Sequence, residues 1–202
     1  MSDTRIALYV VDTGPLITLA AADSLDYLLY PKIDVVIPDA VVYEATRDLA
    51  KLGAQSIIDW IKLHHARIEV AVTNSYANFT LLRSVNPTAR APNLGEQAAV
   101  EVIEEPGRLQ GDARAVLLCE ESAVMRRIIV QDRLKIVEMS TMDFLRMLQD
   151  ARRIQSADAV FDLAGAAGRT PSRVEKFADH DPAIRDAIRE TLQAAQARRD
   201  SR

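Results

Sequence analysis

The chain has 202 residues, of which 49% are hydrophobic and 27% charged, and its 25 basic and 29 acidic side chains give a net charge of −4. These values are typical of a globular protein with one α/β domain and an appendage, and no stretch approaches the roughly 18 apolar residues that a membrane helix requires. The acidic balance argues against a protein that coats nucleic acid with its whole surface, although it is compatible with a local basic patch.

Two further features bear on the compartment. The first five residues contain an acid and lead directly into an apolar strand pattern, so we expect no secretory signal, no membrane association and a cytoplasmic location. Cys119 is the only cysteine, which excludes an internal disulfide and a zinc site built from thiolates. Its apolar neighbours indicate a small buried side chain, and we assign it no role.

The hydrophobic periodicity predicts alternating strands and helices along most of the chain. In chain order, the first half contains a strand at residues 6–11, helices at 16–22 and 24–29, a strand at 33–37, helices at 39–52 and 54–63, and a strand at 68–72. A polar loop with two prolines at residues 74–92 precedes a helix at 93–105, a strand at 115–119, a helix at 121–131, a weaker strand at 135–137, and a helix beginning near Ser140 with Thr141 as its N-cap. This alternation predicts an α/β fold, a three-layer sandwich with a central parallel sheet covered by helices on both faces.

The pattern changes beyond about Ile154, where the chain becomes rich in alanine and charge and shows no strand signal. We therefore predict a main domain at residues 1–153 and a helical carboxyl-terminal extension at 154–202. Ile184, Ile188 and Leu192 fall on one stripe of the last predicted helix. Such a stripe requires a partner surface, which is either the chain's own domain or a second protein.

Asp12 is the first candidate site residue. It ends the first apolar strand and is followed at once by Thr13, Gly14 and Pro15. Open α/β folds bind their ligands at the carboxyl edge of the sheet, which is where this carboxylate is expected. The alternative is that Asp12 only begins a turn before Pro15, which is a common role for an acid.

Two more acids occupy helices that follow strands. Glu44 lies in the helix after the second strand, where its side chain faces either the edge of the sheet or water. Glu96 lies in the first turn of the helix that begins at Asn93. The spacing of Asn93 and Glu96 also fits a capping box, in which the glutamate binds the amide of the N-cap residue.

Glu120 and Glu121 follow the strand at residues 115–119, as Asp12 follows the first strand. Adjacent carboxylates repel each other unless a cation, a shared proton or water lies between them, so a cluster of acids at one sheet edge indicates a bound cation. Carboxylates without nearby histidine or cysteine favour Mg²⁺ or Mn²⁺ over zinc.

The segments around these acids resemble the PIN-domain ribonucleases, which include the VapC-type toxins of bacterial toxin–antitoxin modules. The similar segments are residues 10–16, 37–44, 93–98 and 117–121, and the resemblance extends over about residues 5–149. It implies a pocket of four acids that holds one or two divalent ions, formed by Asp12, Glu44, Glu96 and either Glu120 or Glu121. Glu121 is the preferred fourth acid, and Thr13 is expected to support Asp12. Where relatives usually carry aspartates after this strand, the chain has two glutamates.

The resemblance implies a Mg²⁺- or Mn²⁺-dependent endoribonuclease, the toxin of a bacterial toxin–antitoxin module, with a small antitoxin protein as partner and a homodimer as the assembly. Six basic residues are candidates for contacts with RNA phosphates, although a solvated surface position is the alternative for most of them. They are Arg83, Arg90, Arg126, Arg127, Arg133 and Lys135.

Three other functions are alternatives for a chain with these acids. A haloacid-dehalogenase-like phosphatase requires a second aspartate two residues after the first, and that position is Gly14 here. A receiver-like signalling domain has no counterpart of the helix that begins with Gly95 and Glu96. A catalytically weak or inactive PIN-like module, which binds RNA or protein without cleavage, remains the open alternative.

Overall fold

The computed structural model describes residues 5–120, 135–175, 182 and 185–191. The strands are β1 (Arg5–Val11), β2 (Asp34–Pro38), β3 (Ile68–Ala71), β4 (Ala113–Leu118) and β5 (Ile136–Met139). The α-helices are α1 (Thr13–Ala21), α2 (Asp39–Thr46), α3 (Ala54–Leu63), α4 (Asn74–Val85), α5 (Leu94–Glu104), α6 (Thr141–Asp150) and α7 (Ala157–Ala166). A 3₁₀ helix covers Leu25–Leu29, and residues 185–191 are also helical.

The five strands form one parallel sheet in the order β3-β2-β1-β4-β5. β1 is central, with Val10 paired to Val36 of β2 on one side and to Leu117 of β4 on the other. The chain adds β2 and β3 on one side of β1 and then moves to the other side for β4 and β5. The direction of winding therefore changes between β1 and β4, and their carboxyl ends flank the crevice in which such sheets bind ligands.

The two faces of the sheet carry different cores. Tyr9 and Val11 pack on one face with Leu118 of β4, Phe144 of α6 and Phe161 of α7. On the other face, Leu8 and Val10 of β1 and Leu117 of β4 pack with Ala99 and Val102 of α5. Because neighbouring residues of a strand point to opposite faces, two buried faces require apolar residues at every position. The structure confirms the predicted sandwich with a central parallel sheet.

The predicted extension contributes to the main core. Val160 and Phe161 of α7 are buried in the same cluster as the residues of β1, and so is Ile188, which is fully buried. Of the stripe predicted in the last helix, only Ile188 lies within the described residues, and it packs on the chain's own domain. A division of the chain at residue 153 remains a prediction, while the apolar core is continuous across that point.

The structure corrects the loop predicted at residues 74–92, because α4 occupies residues 74–85. The Thr73 side chain accepts a hydrogen bond from the backbone N–H of Tyr76 and so caps the helix. Glu101 of α5 accepts hydrogen bonds from the backbone N–H groups of Asn74 and Ser75, at 2.6 and 3.0 Å. The cap from Glu101 comes from a distant part of the chain and has no signal in the local pattern.

Two helix boundaries also differ from the predicted ones. α2 ends at Thr46, so the residues up to 52 that were expected to continue it form turns. The N-cap of α6 is Ser140 and not Thr141, because Ser140 and Asp143 form a capping box with each other. The helix predicted at residues 121–131 lies outside the described residues. Within the part of the chain that the structure describes, no helix is long and apolar enough to cross a membrane.

Candidate functional site

Asp12 lies between β1 and α1 at the carboxyl edge of the sheet, as predicted. It occupies the N-cap position of α1 with an extended backbone, but its side chain makes no cap hydrogen bond. Its backbone N–H donates to the carbonyl oxygen of Leu118 at 2.9 Å, which ties the end of β1 to the end of β4. A capping role therefore does not account for the carboxylate of Asp12.

Gly95 brings the first turn of α5 against two of the acids. A Cβ atom at this position would lie 2.9 Å from Oε2 of Glu44, 3.2 Å from Cγ2 of Val41 and 3.4 Å from Oδ1 of Asp12. Only a residue without a side chain allows this approach without a shift of its neighbours. The carboxylates of Asp12 and Glu44 thus converge on the start of α5, which also carries Glu96.

Thr13 supports Glu44 through its side chain, while its backbone N–H is a hydrogen-bond partner of the Asp12 carboxylate. Its hydroxyl donates a hydrogen bond of 3.0 Å to Oε2 of Glu44. Thr13 is the first residue of α1 and Glu44 belongs to α2, so this bond joins the two helices beside the sheet edge. The position of the Glu44 carboxylate is therefore fixed by a neighbouring element and not left to solvent.

Glu96 is not engaged in the capping box that its spacing allowed. Asn93, the N-cap residue of α5, has a left-handed backbone with φ of 57° and makes no side-chain cap hydrogen bond. Oε2 of Glu96 is buried and has no hydrogen-bond partner among the residues that the structure describes. A buried oxygen without a donor is rare in a folded protein, and a cation is one partner that satisfies it.

The acids perturb one another electrostatically. The pKa of Asp12 is raised to about 7, mainly by burial, with the backbone N–H of Thr13 lowering it and the charges of Glu96, Glu44 and Glu120 adding to the rise. Burial also raises the pKa of Glu96, with further contributions from Glu44 and Glu138. Mutual repulsion of this kind indicates that Asp12, Glu44 and Glu96 lie in one electrostatic field.

Glu120 lies beside the same cluster but is bound by donors of the chain itself. Its carboxylate is 8% exposed and accepts hydrogen bonds from the hydroxyls of Thr18, at 2.5 Å, and Thr141, at 3.2 Å. Arg169 forms an ion pair with its other oxygen at 2.9 Å. Glu121, the preferred fourth acid, lies outside the described residues.

Two site residues were missed by the sequence analysis. Glu138 is a buried acid of β5, and it accepts a hydrogen bond of 3.3 Å from Sγ of Cys119, a residue to which no role was assigned. An acid inside the apolar strand of residues 136–139 is a signal that sequence reasoning had available. The local sequence around Arg169 does not indicate its role, because its partner Glu120 is 49 residues away in the chain.

The donor set fits a hard divalent ion by its chemistry, because Asp12, Glu44 and Glu96 offer only carboxylate oxygens and one of these is buried without a partner. In the described part of the chain, no three His, Cys, Asp or Glu side chains form a group able to hold a metal ion as they stand. Carboxylates that repel one another separate when no cation lies between them, so a cation would have to draw the three acids closer together in order to bind to all of them.

The basic residues differ in their relation to the acids. Arg83 is exposed, and its guanidinium donates to the hydroxyl of Tyr43, the neighbour of Glu44, at 2.7 Å. Lys135 instead donates to the carbonyl oxygen of Gly111, before the amino ends of β5 and β4. It therefore lies at the opposite edge of the sheet and does not join the site. Arg90 is exposed, and Arg126, Arg127 and Arg133 lie outside the described residues.

Comparison with known proteins gave a match to a family model. No curated protein and no solved structure matches the chain. Residues 8–85 match the family model DUF3368, which is a PIN domain. The matched segment runs from β1 to the end of α4 and contains both Asp12 and Glu44, whereas Glu96 and Glu120 lie beyond it. The match thus supports the PIN-domain family for this chain, and it does not distinguish VapC-type toxins from other PIN domains.

Proposed function

We propose that the chain is a divalent-metal-dependent endoribonuclease and the toxin of a bacterial toxin–antitoxin module. A PIN domain points to a nuclease-type function, and the acids at the sheet edge supply the chemistry for it. The observation that carries the proposal is the buried, unpartnered Oε2 of Glu96, which belongs to the same electrostatic field as Asp12 and Glu44. An uncompensated group of this kind is costly unless a ligand binds it.

Asp12, Glu44 and Glu96 are the residues that would hold Mg²⁺ or Mn²⁺. When bound there, a divalent ion would supply Lewis-acid chemistry toward water and toward a phosphodiester. The chain's own residues hold and orient the ligands. Thr13 fixes the carboxylate of Glu44 by its hydrogen bond, and Gly95 leaves room for that carboxylate against α5.

We also propose that RNA is the substrate and that a small antitoxin protein is the partner. In the same proposal, the chain forms a homodimer and acts in the cytoplasm. Support for a nucleic-acid substrate comes from the surface next to Glu44. The guanidinium of Arg47 lies 5.9 Å from the centre of the Tyr43 ring, and Arg83 binds the hydroxyl of that ring. Arginines beside a half-buried aromatic ring are suited to the phosphates and bases of a single strand.

The enzymatic proposal is tested with a matched pair of variants on α5. Glu96→Gln is expected to reduce cleavage of single-stranded RNA in Mg²⁺ or Mn²⁺ by at least about 100-fold, because it removes one ligand charge. Glu104→Gln makes the same change at an exposed position of that helix and should retain full activity. Asp12→Asn should be as inactive as Glu96→Gln. A folded wild-type protein that cleaves no single-stranded RNA with either metal would contradict the proposal.

A catalytically inactive module is the second candidate, and the internal partners of Glu120 favour it, since they occupy an acid that the resemblance assigns to metal binding. Retention of RNA in a gel-shift assay without cleavage would support this alternative.

The toxin role has its own test, because induction in a bacterial host should arrest growth and Asp12→Ala should abolish the arrest. Growth arrest by the Asp12→Ala protein would show that the arrest does not depend on the acid site.

A further inference from the structure

Both oxygens of the Glu120 carboxylate have partners within the chain. Oε1 accepts hydrogen bonds from the hydroxyls of Thr18 and Thr141, and Oε2 pairs with the guanidinium of Arg169. Thr18 belongs to α1, Thr141 to α6, and Arg169 follows α7. Three separate elements of the fold therefore meet at this one acid, and both of its oxygens are in use.

Arg169 reaches Glu120 from a well-defined position. It follows Gly168, which has a positive φ of 95°, and its backbone N–H donates to the carbonyl oxygen of Ala164 at 2.9 Å. This is the closing pattern of a helix that ends in a left-handed glycine. Nε of the guanidinium also lies 3.3 Å from the hydroxyl of Thr18. Because α7 is anchored in the core by Phe161, the guanidinium is held at the acid cluster by packed structure.

The position of Arg169 matters because Glu120 is close to the other acids. Glu120 raises the pKa of Asp12 together with Glu44 and Glu96, so the four acids form one electrostatic group. A guanidinium remains protonated at every relevant pH and offers only hydrogen-bond donors. It thus supplies a permanent positive charge at this corner of the group. A metal ion that used Glu120 would have to break a largely buried ion pair and two hydrogen bonds.

We infer that Arg169 takes the place of a second metal ion, so that the site binds one divalent ion on Asp12, Glu44 and Glu96 and uses Glu120 as a support. The inference rests on the metal dependence in the proposed function. Arg169 is a positioning residue in this arrangement, because it holds Glu120 and α1 in place. It contributes a positive charge near the three ligands without touching any of them. The carboxyl-terminal segment then contributes a charged side chain to the site.

The inference is tested by the number of Mn²⁺ ions that the full-length protein binds, measured by calorimetric titration and by electron paramagnetic resonance of free Mn²⁺. We expect one ion per chain. Glu120→Gln should still bind one ion, whereas Glu96→Gln should weaken the affinity at least about 30-fold, since only the latter removes a ligand. Two ions in the wild-type protein, with one lost in Glu120→Gln, would overturn the inference and leave the nuclease proposal intact.

Arg169→Met removes the internal cation and frees Glu120. We expect this variant to bind a second Mn²⁺ ion and to gain more thermal stability from added Mn²⁺ than the wild-type protein gains. Arg173→Met is the matched control, because Arg173 is an exposed arginine of the same segment that pairs with Asp158 and Asp162. It should bind one ion, as the wild type does. If Arg169→Met does not fold, Arg169→Lys, which keeps the charge, should retain one site.

Other outcomes of the titration also decide the question. A single ion in folded Arg169→Met would contradict the inference, because the freed Glu120 would then have no tendency to bind metal. No binding of Mn²⁺ by the wild-type protein, together with no cleavage of RNA, would overturn both the inference and the proposed function. Cleavage with two bound ions would overturn the inference alone.

Discussion

At the scale of single residues, the site combines groups that are unfavourable for folding with groups that hold them in place. Burial and the acidic neighbours of Asp12 raise its pKa, and Glu96 has a buried carboxylate oxygen to which no hydrogen-bond donor of the described residues binds. Thr13 and Gly95 position Glu44 against these two acids. Such a group of charges destabilises the metal-free protein, as is common for residues that bind ligands or carry out catalysis.

Asp12→Asn is expected to stabilise the metal-free protein, and to do so more strongly as the pH rises. Because the pKa of Asp12 is about 7 in the folded chain against an ordinary value of 3.8, the folded state retains the proton more tightly than the unfolded state. The contribution of Asp12 to stability is therefore greatest below pH 3.8 and is lost as the pH rises to about 7. Asparagine does not ionise, so we expect its advantage to be about 2 kcal/mol larger at pH 8 than at pH 5.

Urea unfolding in the presence of EDTA at the two pH values measures this difference. Asp48→Asn serves as the control, because Asp48 is an exposed acid just beyond α2. An advantage of Asp12→Asn that is the same at both pH values would show that the acid cluster does not destabilise the fold.

Gly95→Ala is expected to disturb the site more than the fold. The added Cβ would lie 2.9 Å from Oε2 of Glu44, so this carboxylate must shift from its position at the start of α5. Within a helix, alanine is more favourable than glycine by about 1 kcal/mol, which offsets part of the steric cost. We expect at least about a tenfold loss of Mn²⁺ affinity with a change in unfolding free energy of no more than about 1 kcal/mol.

Gly165→Ala is the matched control, since Gly165 lies in α7 and a Cβ there meets no atom within 4 Å. This variant should be slightly more stable than the wild type and bind Mn²⁺ with equal affinity. Equal Mn²⁺ affinity in Gly95→Ala and Gly165→Ala would contradict the role given to Gly95.

At the scale of elements, each functional side chain is positioned by contacts between helices that are distant in the chain. The bond from Thr13 to Glu44 joins α1 to α2, and Gly95 brings α5 against both acids. The start of α4 depends on Glu101 of α5, which accepts four hydrogen bonds from the backbone and side chains of Asn74 and Ser75. α4 is thus bound to the same helix that carries Glu96.

Glu101→Ala is expected to lower the free energy of unfolding by about 1–2 kcal/mol, because it leaves two N–H groups of the first turn of α4 without their acceptor. Thermal and urea unfolding monitored by circular dichroism measure this loss. Glu104→Ala, at an exposed position of α5, should change stability by less than about 0.5 kcal/mol. Equal stability of the two variants would show that water replaces the cap made by Glu101.

At the scale of the whole molecule, the winding of the sheet and the carboxyl-terminal segment decide where the site forms. The change in winding between β1 and β4 brings Asp12 and Glu120 to one crevice, although 107 residues separate them (120 − 12 − 1). α7 packs on the face of the sheet next to α1, with Phe161 buried in the main core. The segment after residue 153 therefore contributes both to packing and, through Arg169, to the electrostatics of the site.

Deletion of residues 155–202 is expected to unfold the protein or to lower its melting temperature by well over 10 °C. The deletion removes Val160, Phe161 and Ile188 from the core, and each buried side chain of this size contributes about 1.5–3 kcal/mol. It also leaves Glu120 without its cation, which is costly for a buried carboxylate. A truncated chain that unfolds at the same temperature as the full chain would show that residues 1–153 form an independent domain.

Much of the fold was predictable from the sequence because local patterns encode it. Buried parallel strands read as continuous apolar runs, and the five predicted runs lie on β1 to β5 with small shifts at their ends. Asp12 was identified because it ends such a run. The predicted loop at residues 74–92 was wrong, since the cap that Glu101 makes at the start of α4 depends on a distant contact.

The sequence by itself determined the five strands, most of the helices between them, the parallel sheet that this alternation implies and the acids that follow β1 and β4, because these features are encoded by residues close together in the chain. Only the tertiary structure decided which partners the acids have. Thr13 binds Glu44, Glu96 lacks the cap that its spacing allowed, and Glu120 pairs with Arg169. A carboxylate's role depends on the charges and donors within a few ångströms of it, and these come from segments that only the folded chain brings together.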